Sequence, residues 1–235
     1  MMKNKIIGIV LCLAMLFSFA ACGGKQTSET TADTAQTTAE ENKVLDFEVK
    51  EYGYMIDNGF LFVSVILHNP NKDTAIELPS FRMTASAKDG SVLGTSDQTL
   101  SVIYPEQDFA YAGQAFEVKG EIAEFTLEPI PTKEYNYVKV ADMEHPAFKQ
   151  LKADKIKWVE DELFPKYTGL IINENDYDIS NAIVTVLYRD ADGKLAGGDS
   201  TFVDSLAAGK KTPFELNAND AAKGKTYEIY ANNWI

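Results

Sequence analysis

Residues 60–67 read Phe-Leu-Phe-Val-Ser-Val-Ile-Leu and follow directly on Asp57-Asn58-Gly59. β-branched and aromatic residues behind an Asn-Gly turn signal predict a strand entered through a tight turn. Working outward, Ser80 to Ala87 places Phe81, Met83 and Ala85 on one face and then reaches Asp89-Gly90, a hairpin signal. Leu100 to Tyr104, Ala115 to Val118, Glu124 to Leu127 and Tyr135 to Val140 read as further short strands. Turn residues separate them at roughly ten-residue spacing, the rhythm of a sandwich. No sustained 3.6-residue apolar stripe follows Val44, so the fold class is all-β rather than α/β.

The same grammar returns in the C-terminal half. Thr168 to Ile172 is an apolar strand running into Asn173-Glu174-Asn175-Asp176, Ala182 to Tyr188 is the next strand, and Asp190-Ala191-Asp192-Gly193 the next turn. Each Asp-Gly turn follows a strand and a loop with two Asn, which reads as an internal repeat. Lys155 to Glu160 then matches Leu45 to Lys50 as the opening strand. The connection is expected within His145-Pro146 to Ala153, as about one helical turn, and Thr226 to Trp234 is expected to pair within the second copy. The expected organisation is a first sandwich over 44–145 and a second over 146–235.

Gly169-Leu170-Ile171-Ile172-Asn173, Val184-Thr185-Val186-Leu187-Tyr188, Asp192-Gly193, Leu206-Ala207-Ala208-Gly209 and Phe214 together resemble the FxLYD-type immunoglobulin-like module of bacterial lipoproteins. Thr185 stands where that motif has Phe, and Arg189 where it has Asp. The resemblance covers about 80 residues of the second half and, more loosely, the first. It implies two tandem immunoglobulin-like antiparallel β-sandwiches and an extracytoplasmic setting; it implies no ligand.

The N-terminus carries an address. Lys3 and Lys5 precede an almost unbroken apolar run from Ile6 to Ala21. At 16 residues it is short for a membrane span, which needs about 20, and fits the apolar region of a secretory signal. It ends in Phe19-Ala20-Ala21-Cys22-Gly23-Gly24, which resembles the lipobox of bacterial lipoproteins, with Phe19 in the usual Leu position. That resemblance implies a signal peptide over 1–21, a diacylglyceryl group on Cys22, and lipid anchoring to the outer face of a bacterial cell membrane. The chain has only one other cysteine, Cys12, inside the signal. The exported chain is therefore expected to have no disulfide, thiolate metal site or cysteine nucleophile.

Lys25 to Asn42 reads KQTSETTADTAQTTAEEN, without a large apolar residue. It cannot bury enough surface to offset its ordering entropy, so 22–43 reads as a lipidated Cys followed by a disordered tether. Eighteen residues reach at most about 60 Å. The whole chain carries a formal charge of −13, from 22 basic and 35 acidic side chains among 235 residues. That excludes nucleic acid as the expected partner. The first copy holds most of the charge: Val44 to His145 has 17 acids and 7 bases, Pro146 to Ile235 has 14 and 11.

No recognised catalytic motif occurs. The two histidines, His68 and His145, each lie next to an X-Pro turn, and there is no H-E-x-x-H, G-x-S-x-G or phosphate loop. Two stretches resemble parts of a calcium loop: Asp190-x-Asp192-Gly193, which lacks the distal Glu, and the oxygen-rich 173–178. Hairpin and loop capping account for both. Tyr52, Tyr54 and Phe60 near the Asn58-Gly59 turn, and Tyr104, Phe109 and Tyr111 around Pro105, are candidates for an exposed aromatic patch that recognises sugar or protein. The expected function is a non-enzymatic, surface-anchored binding or scaffolding lipoprotein of the cell envelope, without catalytic residues, metal or cofactor. Its expected partners are the membrane, through the lipid on Cys22, and another envelope protein or a glycan. A solute-binding lipoprotein serving a transporter is the alternative, and a wall-active hydrolase the third.

Overall fold

A computed structural model describes residues 43–161, 165–219 and 222–235. The expected signal peptide, the lipid site at Cys22 and the tether lie outside the described residues. Strand β1 (Glu48–Asp57) turns through Asn58-Gly59 into β2 (Phe60–His68). Both turn residues have positive φ, 48° and 82°. This is the mirror-image turn whose twist matches paired strands, and it explains the Asn-Gly choice. β2 also pairs with β7 (Asp108–Glu117), giving the order β1-β2-β7. A second sheet has β4 (Ser80–Ser86) between β5 (Val92–Thr99) and β8 (Glu124–Ile130). Past bends at Leu78-Pro79 and Leu100, the β4–β5 ribbon continues as β3 (Thr74–Glu77) and β6 (Val102–Ile103), and β9 (Tyr137–Lys139) joins β3.

The C-terminal half repeats the plan. β10 (Lys152–Val159), β11 (Lys166–Ile172) and β14 (Lys211–Asn217) form one sheet in the order β10-β11-β14. β12 (Ile179–Arg189) lies between β13 (Leu195–Leu206) and β15 (Thr226–Asn233) in the other. Taking β3 with β4 and β5 with β6, the six strands of each half match in order and in sheet. The two Asn-rich loops prove the correspondence atom by atom. Asn69 donates from its amide to the carbonyls of Thr74 and Ile103, and its Oδ1 accepts from the backbone N–H and side-chain amide of Asn71. Asn71 then holds both backbone groups of Leu45. In the second half Asn173 donates to Tyr177 and Leu206 and accepts twice from Asn175, which holds both backbone groups of Lys149. Each pair ties the chain entering its half to the end of the second strand.

Each half has a core between its two sheets. In the first, Leu61, Val63, Val65, Leu67 and Phe109 meet Ile76, Phe81, Met83 and Leu127. In the second, Tyr167, Ile171, Phe214 and Leu216 meet Ala182, Val184, Val186, Tyr188 and Val203. The chain is thus all-β, built of small antiparallel sheets in sandwich packing. The halves also stack on each other: Ile66, Ala110 and Ala112 on the outer face of β2-β7 pack against Leu187 and Leu195. The layer order is β5-β4-β8, β1-β2-β7, β13-β12-β15, β10-β11-β14, and residues 42–235 form one compact unit. The central strands of the two middle sheets, β2 and β12, are buried on both faces. This is why β2 and β12 carry continuous apolar runs instead of clean alternation.

Three local expectations need correction. The expected helical turn over 146–153 is absent; single 3-10 turns stand earlier, at Glu134–Asn136 and Val140–Asp142. Stacking of His145 on Tyr177 and of Phe148 on Tyr104, with Asn175 gripping Lys149, holds this connection open. The expected strand Leu100–Tyr104 shrinks to Val102–Ile103, because the bend at Leu100 interrupts it. β5, β13 and β14 carry no expected strand. Their alternation is blurred by Gly94, by Gly197-Gly198 and by the polar outer residues Thr95, Asp97 and Ser200.

Candidate functional site

The contact between the halves uses small residues and hydrogen bonds. Thr185 donates its hydroxyl to the Ala110 carbonyl at 3.1 Å, and the Ser200 hydroxyl accepts the Ala112 N–H at 3.2 Å. Asn232 bridges the same strand, donating to the Asp108 carbonyl and accepting from the Ala110 N–H. A Cβ on Gly53 would overlap the Leu195 carbonyl oxygen, so the close approach requires glycine there. At the rim, Arg189 donates both to Glu51 of the first half, at 3.0 Å, and to Glu228, at 2.6 Å. Thr185 and Arg189 are both positions where the second half grips the first.

This stacking leaves a cavity of about 380 Å³ at one end of the interface. Glu77, Tyr104 and Val138 enter from the first half, Asp142, Met143, Glu144 and His145 from the connection, and Tyr177, Asp178, Ile179, Ser180 and Asn233 from the second half. Two stacked pairs build the wall: His145 on Tyr177, with centroids 3.6 Å apart, and Tyr104 on Phe148, at 4.0 Å. The Asn233 amide donates to the Tyr104 hydroxyl at 3.2 Å, while its Oδ1 is sealed from solvent without a hydrogen-bond partner. The Tyr177 hydroxyl is likewise sealed and without a partner. Burial pushes the Tyr177 phenol up to about 12 and raises that of Tyr104, so both stay protonated at neutral pH. Glu77, Asp142, Glu144 and Asp178 bring four carboxyl groups to the lining, which includes no Lys or Arg.

A second cleft of about 710 Å³ lies along Lys50, His68, Asp108, Gln150, Lys152 and Tyr230. Most of its charged groups are already paired. Asp108 binds both Lys50 and His68 at 2.7 Å, and Lys152 pairs with Glu174 at 2.7 Å. His68 thus holds a carboxylate across neighbouring strands, and the described cleft lining includes no Ser, Thr or Cys.

The other residues singled out from sequence are accounted for by packing. In 173–178, the Asn173 and Asn175 amides clamp backbone, Glu174 pairs with Lys152, and Asp178 accepts the Ala208 N–H. Asp190 Oδ1 accepts the N–H groups of Asp192 and Lys194, which closes the hairpin. Among the described residues no group of three or more His, Cys, Asp or Glu is placed to hold a metal ion. The aromatic patch around Pro105 does not form: Phe109 is in the first core, Tyr111 reaches Gln98, and Tyr104 enters the cavity. Near the first turn, Tyr52 and Tyr54 pack on Phe125, though Tyr52 stays 40% exposed. Tyr177 lies in the oxygen-rich stretch 173–178, but nothing in the sequence pointed to its meeting Asn233, because the two segments are far apart in the chain. Compared with protein-family models and with curated proteins, the chain matches none.

Proposed function

We propose that this protein is a non-enzymatic binding lipoprotein of a bacterial envelope. In this reading it is exported, anchored by lipid on Cys22 to the outer face of the cell membrane, and held off the bilayer by the Thr-rich tether. The β-stack is the part that meets a partner, an envelope protein or a glycan. The observation that carries binding rather than bulk support is the cavity between the halves, lined by residues of both. The immunoglobulin-like assignment of each half belongs to this proposal and is supported by the duplicated six-strand plan. The volume of about 380 Å³ also favours the second reading, a lipoprotein that binds a small solute.

The test has two parts. Mass spectrometry of the N-terminus made in a native host should find a diacylated Cys22, and an unmodified Cys22 or a retained Met1 removes the anchor. Pull-down from native envelope with the tagged, anchored protein should capture a saturable protein or glycan partner. Turnover of a wall polymer that one carboxylate substitution abolishes would replace the binding reading with a hydrolase.

A further inference from the structure

We propose that the free edge of β15 accepts an extended segment of a partner protein as an added strand, seated in the second cleft. The inference goes beyond the cavity described above and rests on the protein-partner form of the binding reading. Three observations fix the kind of partner. First, β15 pairs only with β12. Just past its end the Trp234 N–H donates to the Asn181 carbonyl, whereas the Ala231 carbonyl accepts from the Gln150 side-chain amide. Even-numbered residues therefore bond β12, and the backbone groups of Tyr227 and Ile229 point outward with those of Ala231. Gln150, Ile229 and Ala231 all line the cleft, so the outward side of β15 is the cleft side. Second, this edge is unguarded. Edge strands usually blunt themselves against an extra strand with bulges, proline or short length. β1, β5, β7, β10 and β13 each have a register shift, β8 and β14 carry Pro129 and Pro213, and β6 and β9 have two and three residues. Among the described edge strands only β15 runs eight residues in unbroken register without proline. Third, the cleft has an apolar wall and a polar one. Leu151, Ala153 and Ile229 belong to the second core or pack on it, and Lys50, His68 and Glu106 stand on the side of the first half. A strand laid between them points its side chains alternately at the two walls, which selects apolar and polar residues in turn. The excess of acids in the first half favours basic residues at the polar positions. The occupant is thus a peptide backbone and not a glycan, because the outward N–H and C=O groups repeat at the two-residue spacing of a partner strand.

Residue-resolved amide exchange by NMR, on the full chain in detergent, tests this. The probe is the peptide acetyl-Lys-Val-Thr-Val-Thr-Val-Lys-amide. Its control is the same peptide N-methylated at the three central residues, which keeps the side chains and removes the donors. In the free protein the Tyr227 and Ile229 amides should exchange at least about tenfold faster than those of Glu228 and Tyr230, which bond β12. The probe should bind saturably and slow the Tyr227 and Ile229 amides about tenfold or more, leaving the β5 and β10 edges unchanged. The control should bind at least about tenfold more weakly, from the loss of one or two main-chain hydrogen bonds. Equal binding of the control, even exchange along β15 in the free protein, protection at another edge, or no saturable binding would each overturn the inference. Protection of Tyr227 and Ile229 that grows with protein concentration and without peptide would give the edge to a second copy, and would overturn it as well. If the peptide fails while the envelope pull-down still captures its partner, only the edge assignment falls. If both fail, the binding reading falls with it.

Discussion

β4 and β12 occupy the same place in the repeat, each the centre of a three-stranded sheet, yet their outer faces differ. β4 turns Ser80, Arg82 and Thr84 outward, and the Arg82 side chain is 57% exposed where it pairs with Asp97. β12 turns Ile183, Thr185 and Leu187 against the first half, none more than 1% exposed. The situation is reversed for β2 and β11. Ser64 and Ile66 of β2 are buried, while Lys166, Thr168, Leu170 and Ile172 of β11 are only half-buried. The first copy therefore docks through its β1-β2-β7 sheet and the second through its β13-β12-β15 sheet. This is a head-to-tail contact, the kind that propagates into filaments unless the free faces are changed. Here they are changed: the face of the first copy that would receive another carries Ser80, Arg82 and Thr84 where the second copy has Ile183, Thr185 and Leu187. The two halves share one strand plan, and the side chains on one face of each let them stack as a pair.

The contrast breaks hardest at the closest approach. Gly53→Val places atoms on the Leu195 carbonyl, in the interface alone, and should cost about 3 kcal/mol or more. Denaturant unfolding measures it. If the halves are stable apart, the variant shows two transitions; if they depend on each other, one transition moves to lower denaturant.

The Asn clips sharpen the comparison, because here the copies are equal. Asn173→Ala strands the Tyr177 and Leu206 carbonyls and frees Asn175, and Asn69→Ala does the same to Thr74 and Ile103. Each should cost about 2 to 3 kcal/mol, within a kcal/mol of the other. A large difference between them would mean that one half carries the stability of both.

The smallest effect separates two arginines. Arg189→Met removes hydrogen bonds to Glu51 and Glu228 at a partly buried rim and should cost about 2 kcal/mol at neutral pH. Arg82→Met removes only a solvent-exposed pair, and its midpoint should stay within measurement scatter. The pH dependence gives a second readout. The Arg189 guanidinium holds the Glu228 carboxyl below its ordinary value of 4.5. That stabilisation is complete above the unfolded value and is lost as pH falls through the lower folded one. The gap between wild type and Arg189→Met should therefore narrow on acidification below about pH 4 and hold constant from pH 6 to 8.

Much of the fold was legible because period-two alternation and turn chemistry are local. Phe81, Met83 and Ala85 report one dry face wherever the chain is placed, and Asn58-Gly59 and Asp89-Gly90 dictate their turns through positive φ. The repeat was legible through the same turns and through the Asn pairs, although their roles as backbone clips were not. The apolar runs of β2 and β12 showed that both faces are dry. They did not show what covers the second face, since an apolar residue has the same composition whether it meets its own sandwich or a neighbour. The sequence by itself determined the all-β class and the turns. Only the tertiary structure decided which sheet of each copy is sandwiched, and hence that Tyr104, Tyr177 and Asn233 meet around one cavity. That decision rests on close packing of glycine, alanine, serine and threonine across an interface, which leaves no periodic mark along the chain.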